Sequence, residues 1–141
     1  MISQLIVPGK LDKLLNINQW LDDLADQGSL SKSSLFAMKL CCEETFMNIV
    51  MHSYLSESSS IKEEDKTVNL AVDKSTENIL LFIEDNGIAF NPLEKEENKL
   101  PMDLQDAQIG GLGISLMKKF SKSIHYEQKN IGNRLIFQFQ Q

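Results

Sequence analysis

Three polar side chains with catalytic potential follow one another at intervals of four residues: Glu44, Asn48 and His52. In an α-helix this spacing places them on one side of the helix. A carboxylate beside an apolar wall has a raised pKa and is suited to act as a general base, and an amide oxygen is a ligand that Mg²⁺ accepts. The pattern predicts a base at Glu44 and a metal ligand at Asn48, with His52 as a hydrogen-bonding strut. The alternative is a solvated helix face whose polar groups bond to one another.

A second group of candidate residues lies where an apolar segment ends in Asp85 and runs into a turn at Gly87. An ionised carboxylate only accepts hydrogen bonds, so it suits an exocyclic amine such as that of adenine. Gly87 allows the backbone to approach a flat ring closely, and Ile88 and Phe90 are candidate apolar walls. The alternative is an ordinary β-turn, because Asp, Asn and Gly are all common turn residues.

Three glycines, Gly110, Gly111 and Gly113, precede a segment of helical character. The N-terminus of such a helix offers free amides and the positive end of the helix dipole to a phosphate. The sequence has neither the Lys-Ser/Thr of a P-loop nor the spacing of a dinucleotide-binding fingerprint. The prediction is a phosphate-binding helix start, and the alternative is a flexible hinge.

The elements that position these motifs follow from hydrophobic periodicity and from turn residues. Helices are predicted over 10–27, from about 31 to 54 and over 110–120, and strands over 2–7, 68–72, 78–85, 123–128 and 133–139. Residues 55–66 are predicted as a surface loop and 86–110 as an active-site lid. The fold class is α/β (α+β), a two-layer sandwich of a mostly antiparallel mixed sheet with about three helices on one face.

Composition narrows the function classes. The 141 residues carry 14 Lys and Arg against 20 Asp and Glu, a formal net charge of −6. This length fits a single domain over 1–141, and the acidic balance argues against nonspecific nucleic-acid binding and against anionic membranes as partners. The adjacent Cys41 and Cys42 are expected to be free thiols, which indicates a reducing compartment. Without a signal peptide or a long apolar run, we expect a cytoplasmic protein.

The order and spacing of the motifs resemble the histidine-kinase-like (Bergerat-fold) ATPases. Within that superfamily the sequence is most similar to the small bacterial anti-sigma factor serine kinases. Residues 44–54 resemble their N-box, 85–92 their Asp-x-Gly-x-x-Phe-Asp-Pro box, 110–114 their second glycine box and 126–139 their closing hairpin.

The resemblance implies a role for each motif. Glu44 matches the carboxylate that activates the attacking hydroxyl, Asn48 matches the Mg²⁺ ligand, and Asp85 matches the adenine acceptor. The expected cofactors are ATP or ADP together with Mg²⁺. The residues expected to bind them are Asn48, His52, Asp85, Gly87, Ala89, Phe90, Gly110, Gly111, Leu112 and Gly113.

The resemblance also implies partners. The family transfers the γ-phosphoryl group of ATP to a serine of a STAS-domain anti-anti-sigma protein, and it binds and inhibits an RNA polymerase sigma factor, often as a homodimer. An alternative is a nucleotide-binding regulatory module that holds a partner without phosphoryl transfer. A third alternative is an ATP-hydrolysing chaperone-like or repair ATPase domain.

The sequence departs from the family pattern at three places. Asn91 replaces the acid that precedes the proline, and Ala89 replaces the glycine usual in sensor histidine kinases. The segment 106–109 before the glycine box holds no basic residue. Candidates to reach the γ-phosphate instead are Lys95, Lys99, Lys118 and Lys119.

Overall fold

The computed structural model describes residues 2–28, 30–54, 61–74, 77–94 and 111–140. The part of the predicted lid over 95–110, including Gly110, Lys95 and Lys99, lies outside the described residues, as do residues 55–60 of the predicted surface loop.

The described strands and helices follow the predicted order, with boundaries that differ by a few residues. The strands are β1 (Ile2–Pro8), β2 (Thr67–Lys74), β3 (Asn78–Asp85), β4 (Ser123–Gln128) and β5 (Asn133–Gln140). The helices are α1 (Leu14–Asp26), α2 (Lys32–Asn48) and α3 (Gly111–Phe120). None of the helices in the described part of the chain is long and apolar enough to cross a lipid bilayer.

The five strands form one sheet in the order β1-β2-β3-β5-β4. All four described pairings are antiparallel, so the two-layer fold class is confirmed but the prediction of a mixed sheet is wrong. The physical reason is the position of β5. The chain leaves β3, passes through α3 and returns as β4 in the same direction, but β5 lies between β3 and β4 and separates them.

Alternation along the central strands decides which side chains reach the core. Ile79, Leu81, Ile83 and Asp85 of β3 are buried, and the residues between them are only half-buried. The β3 segment is therefore a mid-sheet strand with one covered face, rather than a strand buried on both faces. The β3 and β5 strands pair in a register that sets Leu81 opposite Phe137 and Asp85 opposite Asn133.

The helices cover the face of the sheet to which these buried residues point. Helix α1 buries Ile17, Leu21 and Leu24, and the indole of Trp20 donates a hydrogen bond to Ser3 Oγ of β1 at 2.9 Å. The N-terminus of α2 is capped by Ser31, whose Oγ accepts from the amide of Ser34 at 3.2 Å. An apolar stripe of α2 and the residue that follows it is buried: Met38, Cys42, Thr45 and Ile49.

Helix α2 changes type before it ends. The predicted helix reaches Tyr54, but its α-helical part stops at Asn48 and the segment Ile49–Tyr54 is a π-helical turn. The Nζ of Lys66, which is buried, donates to the carbonyl oxygen of Tyr54 at 3.1 Å. Because this carbonyl is at the helix C-terminus, a cation there satisfies it and opposes the helix dipole. The π-helical turn matters for the site, since such turns are frequent where a helix carries function.

The turn before β5 supplies a test of the fold. Gly132 and Gly28 both have positive φ angles, of 97° and 76°. A Cβ at Gly132 would overlap the carbonyl oxygen of Asp85, whereas a Cβ at Gly28 would meet nothing within 4 Å. We expect Gly28→Ala to lower the free energy of unfolding by about 1–2 kcal/mol, the cost of the left-handed conformation alone. Gly132→Ala should lower it by clearly more.

Urea unfolding of the two variants measures this difference. Gly28→Ala is the matched control because it carries the same backbone penalty without the steric overlap. Equal losses of stability in the two variants would contradict the tight packing of Gly132 against β3.

Candidate functional site

A small cavity lies between α2 and the covered face of the sheet. The sequence motifs contribute three of its walls, Asn48, Asp85 and Phe90. The other lining residues are Thr45, Ile49, Ser53, Ile83, Pro92, Tyr126, Asn133 and Leu135. The cavity has a volume of about 10 Å³, which is space for one water molecule. A flat ring therefore enters only if lining residues move apart.

Asp85 forms the polar end of this cavity. It is the last residue of β3 and its exposed fraction is only 5%. Its Oδ1 accepts hydrogen bonds from the amide of Gly87 at 2.8 Å and from Asn133 Nδ2 at 3.0 Å. Its Oδ2 accepts none from the described residues. Asp85 thus keeps one free acceptor for a hydrogen-bond donor that enters the cavity.

Burial sets the protonation of Asp85. It raises the pKa of this carboxyl from 3.8 to about 6, because the charged form loses its hydration. The hydrogen bonds from Asn133 and Gly87 and the charge of Lys129 act in the opposite direction and lower the pKa. At neutral pH the carboxylate is therefore charged and acts as an acceptor only.

Asn133 is the principal site residue that the sequence analysis missed. It is buried at the start of β5, directly opposite Asp85. Its Oδ1 accepts from the amide of Phe90 at 2.8 Å and from the hydroxyl of Tyr126, and its Nδ2 donates to the carbonyl of Ile88 at 2.8 Å as well as to Asp85. One sequence signal pointed to it: an asparagine occupies the inward position of an otherwise apolar alternation.

The turn that follows Asp85 rests against the π-helical turn. A Cβ at Gly87 would lie 2.7 Å from both the Cβ and the carbonyl oxygen of Ser53, so this approach requires glycine. The amide of Ile88 donates to the same carbonyl at 3.3 Å. Behind the turn, the hydroxyl of Tyr54 contacts the side chain and the amide of Asn86. The predicted residue Ala89 is exposed and does not line the cavity.

His52 lies outside the cavity lining. Its ring stacks on that of Phe90, with centroids 4.8 Å apart and planes at 17°. Asn48 lines the cavity and His52, four residues further on in the π-helical turn, does not. His52 therefore supports Phe90, which in turn forms a wall of the cavity.

Glu44 meets the glycine motif. A Cβ at Gly113 would overlap Oε2 of Glu44, so the carboxylate lies directly against the first turn of α3. Burial raises the pKa of Glu44 above its ordinary value, and the neighbouring charge of Glu43 adds to this. Helix α3 begins at Gly111, while the side chain of Leu112 lies outside what the structure describes. The fold thus brings two motifs that are far apart in sequence into contact.

The side chain of Asn48 indicates whether the site is suited to a metal ion. It is buried, and the structure gives its side chain no hydrogen bond to any described residue; its Nδ2 is a buried atom without a partner. Such an orphaned amide costs about 1–3 kcal/mol in a folded core. Because no hydrogen bond fixes its orientation, the amide can turn its oxygen toward the cleft. Amide oxygen is a donor that Mg²⁺ accepts, so the residues present fit this ion.

The comparison with known sequences decides the family. Residues 7–139 match the histidine kinase-like ATPase domain. The chain belongs to this family. Membership implies nucleotide binding, and the predicted resemblance to this superfamily is confirmed.

The names of individual relatives describe more specific functions than the family does. The serine/threonine-protein kinase BtrW of Bordetella bronchiseptica is 29% identical over 116 residues, which cover 82% of this chain and 78% of BtrW. An anti-sigma F factor of Clostridium perfringens is 27% identical over 100 residues, 70% of this chain and 67% of that protein. An anti-sigma F factor of Clostridium kluyveri is 29% identical over 100 residues, 70% and 66% of the two chains. The predicted likeness to anti-sigma factor serine kinases is confirmed.

The buried carboxylate makes the stability of this domain depend on pH. The pKa of Asp85 is about 6 in the folded chain and 3.8 ordinarily. The favourable contribution of this carboxyl to the free energy of unfolding is therefore fully present below about pH 4, and it is lost as pH rises through 6. Asp85→Asn keeps an oxygen that accepts the two hydrogen bonds but carries no charge. We expect it to raise the free energy of unfolding by about 1–3 kcal/mol at about pH 8, and by little at about pH 4.

Urea unfolding at the two pH values, with wild type as reference, measures this difference. A variant that is less stable than wild type at about pH 8 would show that the ionised carboxylate stabilises the fold, contrary to this account.

Proposed function

We propose that this chain is an ATP-dependent protein-serine kinase that also acts as an anti-sigma factor in a partner-switching system. One observation carries the proposal. The carboxylate of Glu44 lies against the glycine-rich start of α3, and Asn48, one helical turn further on, lines the cavity that Asp85 closes. In this proposal Glu44 is the base, Asn48 the amide ligand and Asp85 the adenine acceptor of one nucleotide site. We propose residues 1–141 as one ATPase domain.

In this proposal the lining residues move apart and the enlarged cavity takes the adenine ring. The free Oδ2 of Asp85 accepts a hydrogen bond from the exocyclic amine, and the apolar walls at Ile49, Phe90 and Leu135 enclose the ring. The phosphates then extend along α2 toward the first turn of α3. In this proposal the phosphates meet the N-terminal end of α3, where backbone amides and the helix dipole favour an anion.

Glu44 is the proposed catalytic residue. Phosphoryl transfer depends on positioning and on charge stabilisation, and the protein must orient the attacking oxygen. A carboxylate whose pKa is raised by burial accepts the proton of a serine hydroxyl more readily than an ordinary one. The hydroxyl oxygen then forms its bond to the γ-phosphorus as the bond to the β-γ bridging oxygen breaks, which leaves ADP.

Asn48 is the proposed ligand of Mg²⁺. When bound, the ion would supply positive charge to the phosphates, in a chain whose formal net charge is −6. The support is the orphaned side-chain amide of Asn48 and the hard-oxygen chemistry of an asparagine ligand.

The proposed binding partners are inferred from the names of the relatives and from the family resemblance. Two of them are anti-sigma F factors and one is a serine/threonine-protein kinase. By that likeness we propose an RNA polymerase sigma factor as the protein held and a serine of a STAS-domain anti-anti-sigma protein as the phosphate acceptor. Phosphorylation of the antagonist would release it and leave the kinase free to hold sigma.

A homodimer is the proposed assembly. The support is the face of the sheet that the described helices leave open. On this face Ile2 and Ile6 of β1 are 73% and 62% exposed, and Phe82 and Ile136 of the central strands are half-buried neighbours in register. Apolar area of this kind on a sheet face favours a second protein surface over water.

The test of the kinase proposal is phosphoryl transfer by wild type and by two variants. Glu44→Gln keeps the shape of the side chain but removes the base, so it should bind ATP like wild type and lose transfer by about 100-fold or more. Gly113→Ala leaves the carboxylate in the chain but displaces it, because the new Cβ occupies its position. Alanine also has the higher helix propensity, so α3 itself is not weakened.

Transfer is measured with radiolabelled ATP and a purified STAS-domain protein, with a variant of that protein lacking its acceptor serine as the control. Glu44→Gln should retain nucleotide affinity and lose transfer, and Gly113→Ala should lose transfer because the carboxylate is displaced. Transfer at the wild-type rate in Glu44→Gln would show that the catalytic assignment is wrong. Nucleotide binding without any transfer by wild type would favour the alternative, a regulatory module that sequesters its partner.

A further inference from the structure

Asn133 uses its whole hydrogen-bonding capacity at one point of the site. Its Nδ2 donates to Asp85 Oδ1 at 3.0 Å and to the carbonyl of Ile88 at 2.8 Å. Its Oδ1 accepts from the amide of Phe90 at 2.8 Å and from the hydroxyl of Tyr126. An asparagine side chain has two donor and two acceptor positions, and all four are occupied here. The orientation of this amide is thereby fixed, since a flip would set oxygen against oxygen at Asp85 and at Ile88.

These contacts determine which oxygen of Asp85 is available. Asn133 and the amide of Gly87 both occupy Oδ1, so Oδ2 is the atom left to face the cavity. The contacts to Ile88 and Phe90 hold the backbone of the turn, and with it the wall that Phe90 forms. One side chain on β5 therefore sets the position of the acceptor and of the wall beside it.

A carboxylate, an aliphatic side chain or a hydroxyl does not form both sets of contacts. A carboxylate at this position has acceptors but no donor for Asp85, and an aliphatic residue has neither. A single hydroxyl supplies one donor, which cannot serve both Asp85 and Ile88. A buried amide whose four positions are all used is held rigidly and specifies one arrangement of its partners.

We propose that Asn133 is the positioning residue of the nucleobase site: by engaging Oδ1 of Asp85 and the backbone of the turn, it aims Oδ2 at the cavity and sets the preference for a 6-amino purine over a 6-oxo purine. This inference rests on the proposed function. It adds the residue that makes Asp85 selective, and it can be tested separately from nucleotide binding.

The other charged and titratable groups near Asp85 are Lys129, Tyr54 and Tyr126, and of these Tyr126 is itself a hydrogen-bond partner of Asn133 that loses this bond when Asn133 is replaced. Lys129 lowers the pKa of Asp85, and the hydroxyls of Tyr54 and Tyr126 lie close enough to interact with its charge. A change in the titration of Asp85 on replacement of Asn133 therefore reports on the lost amide together with the released hydroxyl of Tyr126.

The experiment compares wild type with Asn133→Ala, Asn133→Leu and the control Ile79→Val. Leucine retains the branching of asparagine at Cγ without its hydrogen bonds, and alanine removes both, so the two variants separate loss of bonding from loss of packing. Ile79 is buried at the opposite end of β3, about 20 Å from Asp85, so its variant lowers stability without touching the site. Circular dichroism and thermal unfolding establish that each variant is folded.

Two readouts are measured on each folded protein. The first is the titration of the Asp85 side-chain carboxyl by carbon-13 NMR without nucleotide. A hydrogen bond to a charged group changes an equilibrium about tenfold or more, so the midpoint should rise by about one pH unit or more in both Asn133 variants and stay unchanged in Ile79→Val. The second is the affinity for ADP and for IDP by calorimetry. The preference for ADP should fall about tenfold in the Asn133 variants and persist in Ile79→Val.

The outcomes distinguish the proposed role of Asn133 from the proposed nucleotide-binding function. An unchanged titration and an unchanged preference for ADP in the Asn133 variants would overturn the role of Asn133. Failure of both variants to fold, while Ile79→Val folds, would make Asn133 a structural residue and would also overturn it. If wild type binds neither ADP nor IDP, the proposed function fails, and the NMR titration still decides whether Asn133 controls Asp85.

Discussion

The candidate site depends on one charged carboxylate that is held inside the protein at a cost in stability. Asp85 ends the central strand β3, almost completely buried, and its ionised form has lost most of its contact with water. The surrounding residues compensate only in part, because its pKa remains raised to about 6. Gly87, Asn133 and Lys129 all act to retain the charge, and each comes from a different element of the fold. The position of the carboxylate therefore fixes where the turn, β5 and the β4-β5 hairpin must lie.

Several features of the cleft cost stability and have no explanation in packing alone. Asn48 buries an amide nitrogen without a partner, and burial raises the pKa of the half-buried Glu44. The turn after α2 replaces the α-helical hydrogen-bonding pattern with a π-helical one where it meets Gly87. Such costs concentrate at functional sites, where strained or unpaired groups persist because the rest of the fold supports them. In this chain that support comes from the buried stripe of α2 and from the paired central strands β3 and β5.

The sequence predicts the local part of this arrangement and misses the long-range part. Glu44, Asn48, Asp85 and Gly87 were identifiable because each motif lies within one helix or one strand and its turn. Asn133 was missed because it meets Asp85 only through the β3-β5 register, across 48 residues of chain. The contact between Glu44 and Gly113 likewise requires α2 to pack on α3. The π-helical turn escaped prediction because a period of 3.6 residues carries no signal for an i→i+5 bond.

The sheet shows the same limit. Alternation identifies the strands and their buried faces, and the hairpin residues indicate β2-β3 and β4-β5. No pattern within a single element predicts that β5 lies between β3 and β4. This position of β5 makes all the described pairings of the sheet antiparallel. The same position of β5 brings Asn133 next to Asp85, so one strand order determines both the topology of the sheet and the main hydrogen bond of the site.

The central claim is that Asp85 binds an adenine base in this cleft, and calorimetric titration of wild type and Asp85→Asn with ADP and GDP tests it most directly. At about pH 8, where Asp85 is ionised, the account predicts that wild type binds ADP and not GDP, more tightly with Mg²⁺ than without. It predicts no binding of ADP by Asp85→Asn, which should nevertheless be folded. Equal binding of ADP by the two proteins, or no binding by wild type, would contradict it.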